Sequence, residues 1–131
     1  VDDAMRMSPD YLVIGEVRDG MAAMSLFRAL LTGHSGACTF HADSPHEAAR
    51  RLATVMGADA GVEPREANLM IADALDILVQ LGIRNEVRRV ISIANISKEL
   101  ENGEVGFKSN YWYIEESAAV EPCWEKFNKL K

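Results

Sequence analysis

Apolar residues along the chain follow three successive patterns. The first is a short unbroken run, Tyr11-Leu12-Val13-Ile14, bounded by Ser8-Pro9-Asp10 and by Gly15. Such a run predicts a strand buried on both faces, as in parallel sheets. Before it, Ala4, Met5 and Met7 read as the end of a helix broken at Pro9. The second pattern is helical. Met21 to Leu31 is apolar nearly all round and predicts a mostly buried helix, with Gly33 as its left-handed cap. Ala37 to Phe40 predicts a second short buried strand. Strand, helix and strand within about 30 residues make a βαβ unit, with parallel strands and a right-handed crossover.

Ser44-Pro45-His46-Glu47 then has the makings of a helix start: a capping hydroxyl, a proline at the first helical position and a glutamate to complete a capping box. Ala48, Leu52, Val55 and Met56 recur at helical spacing, and Gly57 and Gly61 end that helix. Pro64 opens another, with Ala67, Met70, Ile71, Ala74 and Leu75 as its apolar stripe. The third pattern has the period of strands. It predicts them at Ile77 to Ile83, at Val87 to Ile96, and at Glu104 to Lys108 with Tyr111 to Ile114. Asn102-Gly103 marks a hairpin turn. Glu121 to Lys131 reads as a short amphipathic helix or a frayed tail. The expectation is an α/β fold in a single domain over residues 1–131, with a β meander toward the C-terminus.

Composition narrows the function classes. The 131 residues suit one domain with a real core, and 48% apolar with 26% charged residues excludes a disordered tail or a collagen-like fibre. Fourteen basic against 20 acidic side chains give a net charge of −6, which argues against a sequence-independent nucleic-acid binder but leaves room for a local basic patch; no direct nucleic-acid partner is expected. No apolar run reaches the roughly 18–20 residues of a membrane span. The N-terminus, Val1-Asp2-Asp3, is acidic, unlike a secretory leader, and lacks Met, so a chain cut from something longer or processed is expected. Cys38 and Cys123 stand far apart, without metal-ligand spacing, which fits a reducing cytoplasm.

Two clusters carry candidate chemistry. Gly15-Glu16-Val17-Arg18-Asp19 follows the first strand, and ligands of open α/β sheets bind beyond the carboxyl ends of strands. Glu16 there is placed to hold a metal or polarise a water; alternatively these are solvated loop charges paired with one another. The second cluster is Thr32-Gly33-His34 with Thr39-Phe40-His41-Ala42-Asp43. His41 ends the second strand and would lie beside Glu16 if the two strands are neighbours. Its imidazole could then donate to a phosphate oxygen. A zinc site is poorly supported, because only His46, on a predicted helix, offers a third ligand. Arg50 and Arg51 read as a solvated helix face or as a reach toward an adjacent subunit. The six methionines read as core filling. There is no G-x-x-x-x-G-K-[ST] phosphate loop and no G-x-S-x-G elbow.

Ser8-Pro9-Asp10-Tyr11-Leu12-Val13-Ile14-Gly15-Glu16-Val17-Arg18-Asp19 resembles the Walker B segment of the secretion-superfamily ATPases. These are the motors of type II and type IV secretion, type IV and tight-adherence pili, and conjugation. Thr32-Gly33-His34-Ser35-Gly36-Ala37-Cys38-Thr39-Phe40-His41-Ala42-Asp43-Ser44-Pro45 resembles that family's histidine box, in matching order and separation. Glu47 to Leu52, Ala72 to Gln80 and Arg88-Arg89-Val90 are similar to the tight-adherence and conjugation branch. The resemblance covers residues 4–97 and leaves 98–131 unassigned.

The resemblance implies the C-terminal portion of a three-layer, RecA-like P-loop ATPase domain. Glu16 matches the catalytic glutamate and His41 the histidine that contacts the terminal phosphate. Gly15, Arg18 and His34 match residues of the nucleotide and Mg²⁺ loop, the last also a candidate for the subunit boundary. No metal ligand is assigned to the protein itself. The family's phosphate loop, acidic box and arginine fingers precede Walker B and are absent here. The full-length protein is thus expected to be a cytoplasmic homo-hexamer using ATP and Mg²⁺. It would sit on an inner-membrane platform protein and drive protein export or pilus assembly. The fragment alone is expected to be inactive and to hold no cofactor. Two rival readings remain: a non-catalytic regulatory or assembly module, and a metal-dependent hydrolase using His34, His41 and Asp43.

Overall fold

The computed structural model describes residues 1–112. The expected strand end at Ile114, the tail from Glu121 to Lys131, and Cys123 lie outside them. The order is α1 (Asp2–Met5), β1 (Tyr11–Ile14), α2 (Gly20–Leu31), β2 (Ser35–Cys38), α3 (Pro45–Ala60), α4 (Pro64–Ala74), β3 (Ile77–Arg84), β4 (Val87–Glu101) and β5 (Glu104–Trp112). β1 and β2 pair in parallel, with Leu12 opposite Gly36 and Ile14 opposite Cys38. β3, β4 and β5 form a separate antiparallel sheet in that order. The fold is α/β, with α2 as the crossover of the expected βαβ unit.

The helices pack in sequence, α2 on α3, α3 on α4, and α4 on β4 and β5. Leu26, Phe27, Met56 and Ile71 are fully buried between them, and Ile96 and Val105 close the core from the antiparallel sheet. Each such side chain contributes roughly 1.5–3 kcal/mol of burial free energy. Gly20 makes this packing possible: a Cβ there would run into the Val55 carbonyl and stand 2.9 Å from Met56 Cα. The α2 N-terminus carries two carboxylates. Asp19 accepts from the Ala22 amide at 2.8 Å, and Asp59, from α3, accepts from the Gly20 amide at 2.7 Å.

The start of α3 follows the sequence. Ser44 accepts from the Glu47 amide at 3.2 Å, and Glu47 reaches back to the Asp43 amide at 3.1 Å. The helix runs through Gly57 and ends at Gly61, whose φ of 67° is left-handed. The C-terminus of α4 is held by Lys98, which donates to the Asp73 and Leu75 carbonyls at 3.2 Å and pairs with Asp76 at 2.8 Å.

Three strand expectations are corrected. β2 begins two residues before Ala37. Gly36 permits this, since a Cβ there would stand 2.8 Å from the Leu12 carbonyl and 2.9 Å from Leu30. β1 is buried on one face only: Leu12 is 4% exposed, while Val13 is 72% exposed. β4 runs on to Glu101, and the two expected C-terminal strand segments form one strand, β5, interrupted by a register shift opposite Ile93 and Ala94. The β4–β5 hairpin turns at Asn102-Gly103, both at positive φ as expected. The β3–β4 hairpin turns the same way at Asn85-Glu86, φ 50° and 61°, a turn without glycine that the sequence did not announce. On β3, Ile77, Val79, Leu81 and Ile83 share an exposed face.

Candidate functional site

Parallel pairing puts the carboxyl ends of β1 and β2 side by side. The pairing continues into the loops. The Thr39 amide donates to the Ile14 carbonyl at 3.3 Å, and the Val17 amide donates to the Thr39 carbonyl at 2.9 Å. The Thr39 hydroxyl donates to the Gly15 carbonyl. These bonds hold the 15–19 loop against the 39–43 loop. Glu16 and His41 meet there. Glu16 Oε1 lies 3.1 Å from His41 Nε2, and Glu16 Oε2 accepts from Arg18 Nε at 2.6 Å.

The site is open to solvent, with Glu16 partly exposed and the side chains of Arg18 and His41 79% and 87% exposed. The Arg18 guanidinium, by hydrogen bond and charge, holds the Glu16 carboxyl below the ordinary carboxylate value. Partial desolvation opposes this and His41 assists it. Apart from its chain neighbours, nothing lies within 4 Å of where a Cβ at Gly15 would stand.

The 41–43 segment is tied to two further elements. Arg51, on α3, donates from Nη1 to the His41 carbonyl at 2.8 Å, with its guanidinium carbon 5.6 Å from the Phe40 ring centre. Gln80, on β3, donates to the Ala42 carbonyl at 3.1 Å. Sequence reasoning missed both contacts. The available signal for Gln80 was a lone amide inside the apolar run from Ile77 to Leu81; for Arg51 there was none.

His34 does not join the pair. It stands at the start of β2, while His41 lies past its end, a run of about 23 Å at roughly 3.3 Å per residue. Its Nδ1 is 3.2 Å from the Ala29 carbonyl, so it serves the C-terminus of α2. That separation breaks up the His34–His41–Asp43 metal set, and among the described residues no three His, Cys, Asp or Glu side chains are grouped to hold a metal ion. Arg50 points elsewhere too. It lines a groove of about 420 Å³ with His46, Asn68 and Glu104, to which Glu16, Arg18 and His41 do not contribute. The His46 ring packs edge-on against Phe107 at 4.7 Å. Burial pushes the Cys38 thiol up, away from the reactive thiolate.

Known proteins give this geometry a context. The chain matches the family described as "Type II/IV secretion system protein" over residues 1–107. It is 33% identical over 118 residues to the conjugal transfer protein TrbB of Rhizobium radiobacter, covering 89% of this chain and 33% of that protein. It is 38% identical over 80 residues to the type II secretion system protein E of Pectobacterium carotovorum, covering 61% of this chain and 14% of that protein. An uncharacterized protein of Methanocaldococcus jannaschii is 53% identical over 49 residues, covering 37% of this chain and 18% of that protein. The chain thus spans about a third, or less, of the curated relatives it matches. With a match across 107 residues that takes in both the Glu16 and the His41 loops, this chain belongs to the type II/IV secretion system protein family.

Proposed function

We propose that these residues form the C-terminal, RecA-like part of a motor ATPase, carrying its Walker B and histidine-box chemistry. The observation that carries the reading is the Glu16–His41 contact at the carboxyl ends of two parallel strands. A carboxylate held ionised can orient and polarise a water for attack on a terminal phosphate. An imidazole beside it is a donor for a phosphate oxygen. Arg18 engages the other Glu16 oxygen and keeps the loop in shape. Both Glu16 oxygens are engaged in the free chain, so a phosphate that draws His41 to itself releases Oε1 for the water. Bound Mg²⁺ would neutralise charge on the phosphates, and Glu16 is the carboxylate this loop offers beside it.

In this reading the full-length protein is a cytoplasmic hexamer on a membrane platform, and ATP hydrolysis drives export, conjugation or pilus assembly. The names of the conjugal transfer and type II secretion relatives support that reading. His34, Arg50 and Arg51 are candidates for contacts between subunits. A second reading, a non-catalytic assembly module, is opposed by the intact Glu16–His41 geometry.

The test is Mg²⁺-ATP turnover by the full-length protein, wild type against Glu16→Gln. Removing the carboxylate is expected to cost about 10²-fold or more in kcat, with nucleotide binding retained. An inactive wild type, or a mutant of equal activity, overturns the motor reading in favour of the assembly module.

A further inference from the structure

We propose that Arg51 and Gln80 are positioning residues that clamp the carbonyls of His41 and Ala42 from two sides and so aim the His41 imidazole at Glu16. The proposal rests on the ATPase reading of the Glu16–His41 site. His41 is 87% exposed, and its imidazole meets the Glu16 carboxylate with no packed wall around it. It lies past the end of β2, where the ladder no longer fixes the chain. Ring direction therefore depends on what fixes the backbone of residues 40–43.

Three different elements supply that. The loop after β1 holds Thr39 through the Val17 amide and the Gly15 carbonyl. Arg51 on α3 takes the His41 carbonyl at 2.8 Å, and Gln80 on β3 takes the Ala42 carbonyl at 3.1 Å. Arg51 is itself oriented. Its guanidinium lies over the half-buried Phe40 ring, and Glu47, one turn earlier on α3, approaches Nη1 at 4.0 Å. A guanidinium and an amide that donate to consecutive carbonyls leave the His41–Ala42 peptide little freedom to rotate. Arg51 thus has work within its own chain.

The experiment uses the full-length protein with Arg51→Met, Arg51→Lys and Gln80→Leu. Arg51→Met keeps the aliphatic stem near Phe40 and removes the donors. A misaimed catalytic group lowers kcat by roughly 10- to 100-fold, and KM for Mg²⁺-ATP is expected to stay near the wild-type value. Arg51→Lys, which restores a donor, is expected to recover part of the loss. Amide hydrogen exchange without nucleotide gives a readout independent of turnover. Peptides containing Val17 and Thr39 should exchange faster in Arg51→Met, and those from α2 and α4 should not. Unchanged kcat and unchanged exchange overturn the proposal. So does an exchange increase spread through α2 and α4, which marks a merely structural role. Should Arg51→Met fail to fold, Gln80→Leu runs the same comparison from the other tether. A wild type without turnover would instead overturn the ATPase reading, while the exchange data would still report on the clamp.

Discussion

At Glu16 a carboxylate sits between two partners of different kinds. Arg18 is charged at all ordinary pH, whereas His41 is charged only when protonated. Arg18 is the larger cause of the lowered Glu16 pKa, so Arg18→Ala is expected to move it back toward the ordinary value of 4.5. A carboxyl-carbon NMR titration reads this directly, and a curve overlaying the wild type would remove Arg18 from the role. The sign for stability follows. The folded pKa lies below the unfolded one, so the pair's contribution is present above the ordinary value and lost as pH falls through the folded one. With Arg18 79% exposed, water screens that contribution and it is small. Glu16 and His41 were legible in the sequence because each follows a short apolar run. Arg51 and Gln80 were not, because bonds to carbonyls 10 and 38 residues away leave no mark on local periodicity.

Among the elements, helix ends and one hairpin were the most legible. Ser44 with Glu47, Gly61 and Asn102-Gly103 act through neighbours a few residues away, so sequence alone specifies them. Strand faces were not legible. The same apolar run suits a strand covered on one side or on two, and β1 buries Leu12 while leaving Val13 exposed. The close approach of α2 to α3 at Gly20 was also invisible, because it needs both helices in place. It is testable. Gly20→Ala forces a methyl into the backbone of α3, which cannot rotate out of the way. The gain in helix propensity, at most about 1 kcal/mol, does not offset an overpacking cost of about 3 kcal/mol. Net destabilisation is expected as a lower denaturation midpoint. A midpoint equal to wild type would show that the helices can slide apart at little cost.

Taken as a whole, the described chain leaves apolar side chains bare on both of its sheets. Val13 on β1 and Ile77, Val79, Leu81 and Ile83 on β3 are exposed. Periodicity identified the strands but could not assign them to two sheets, since sheet membership is set by pairing. The same view bears on nucleotide binding. A polyanion such as ATP is commonly held at a helix N-terminus with free amides. Here the N-terminus of α2 is already occupied by Asp19 and Asp59, and that of α3 by Ser44 with Glu47 in its first turn. The first turn of α4 carries Glu66 and follows Glu63. Acidic side chains thus stand at each of these three helix starts, the given sequence has no phosphate loop, and the net charge of −6 repels the ligand. The 131-residue chain alone is therefore expected to show no saturable Mg²⁺-ATP binding by calorimetry and no turnover, even with Glu16 and His41 in contact. Measurable turnover by the purified chain would mean that these loops hold the phosphates unaided, and the division of labour between this region and the rest of the protein would have to be redrawn.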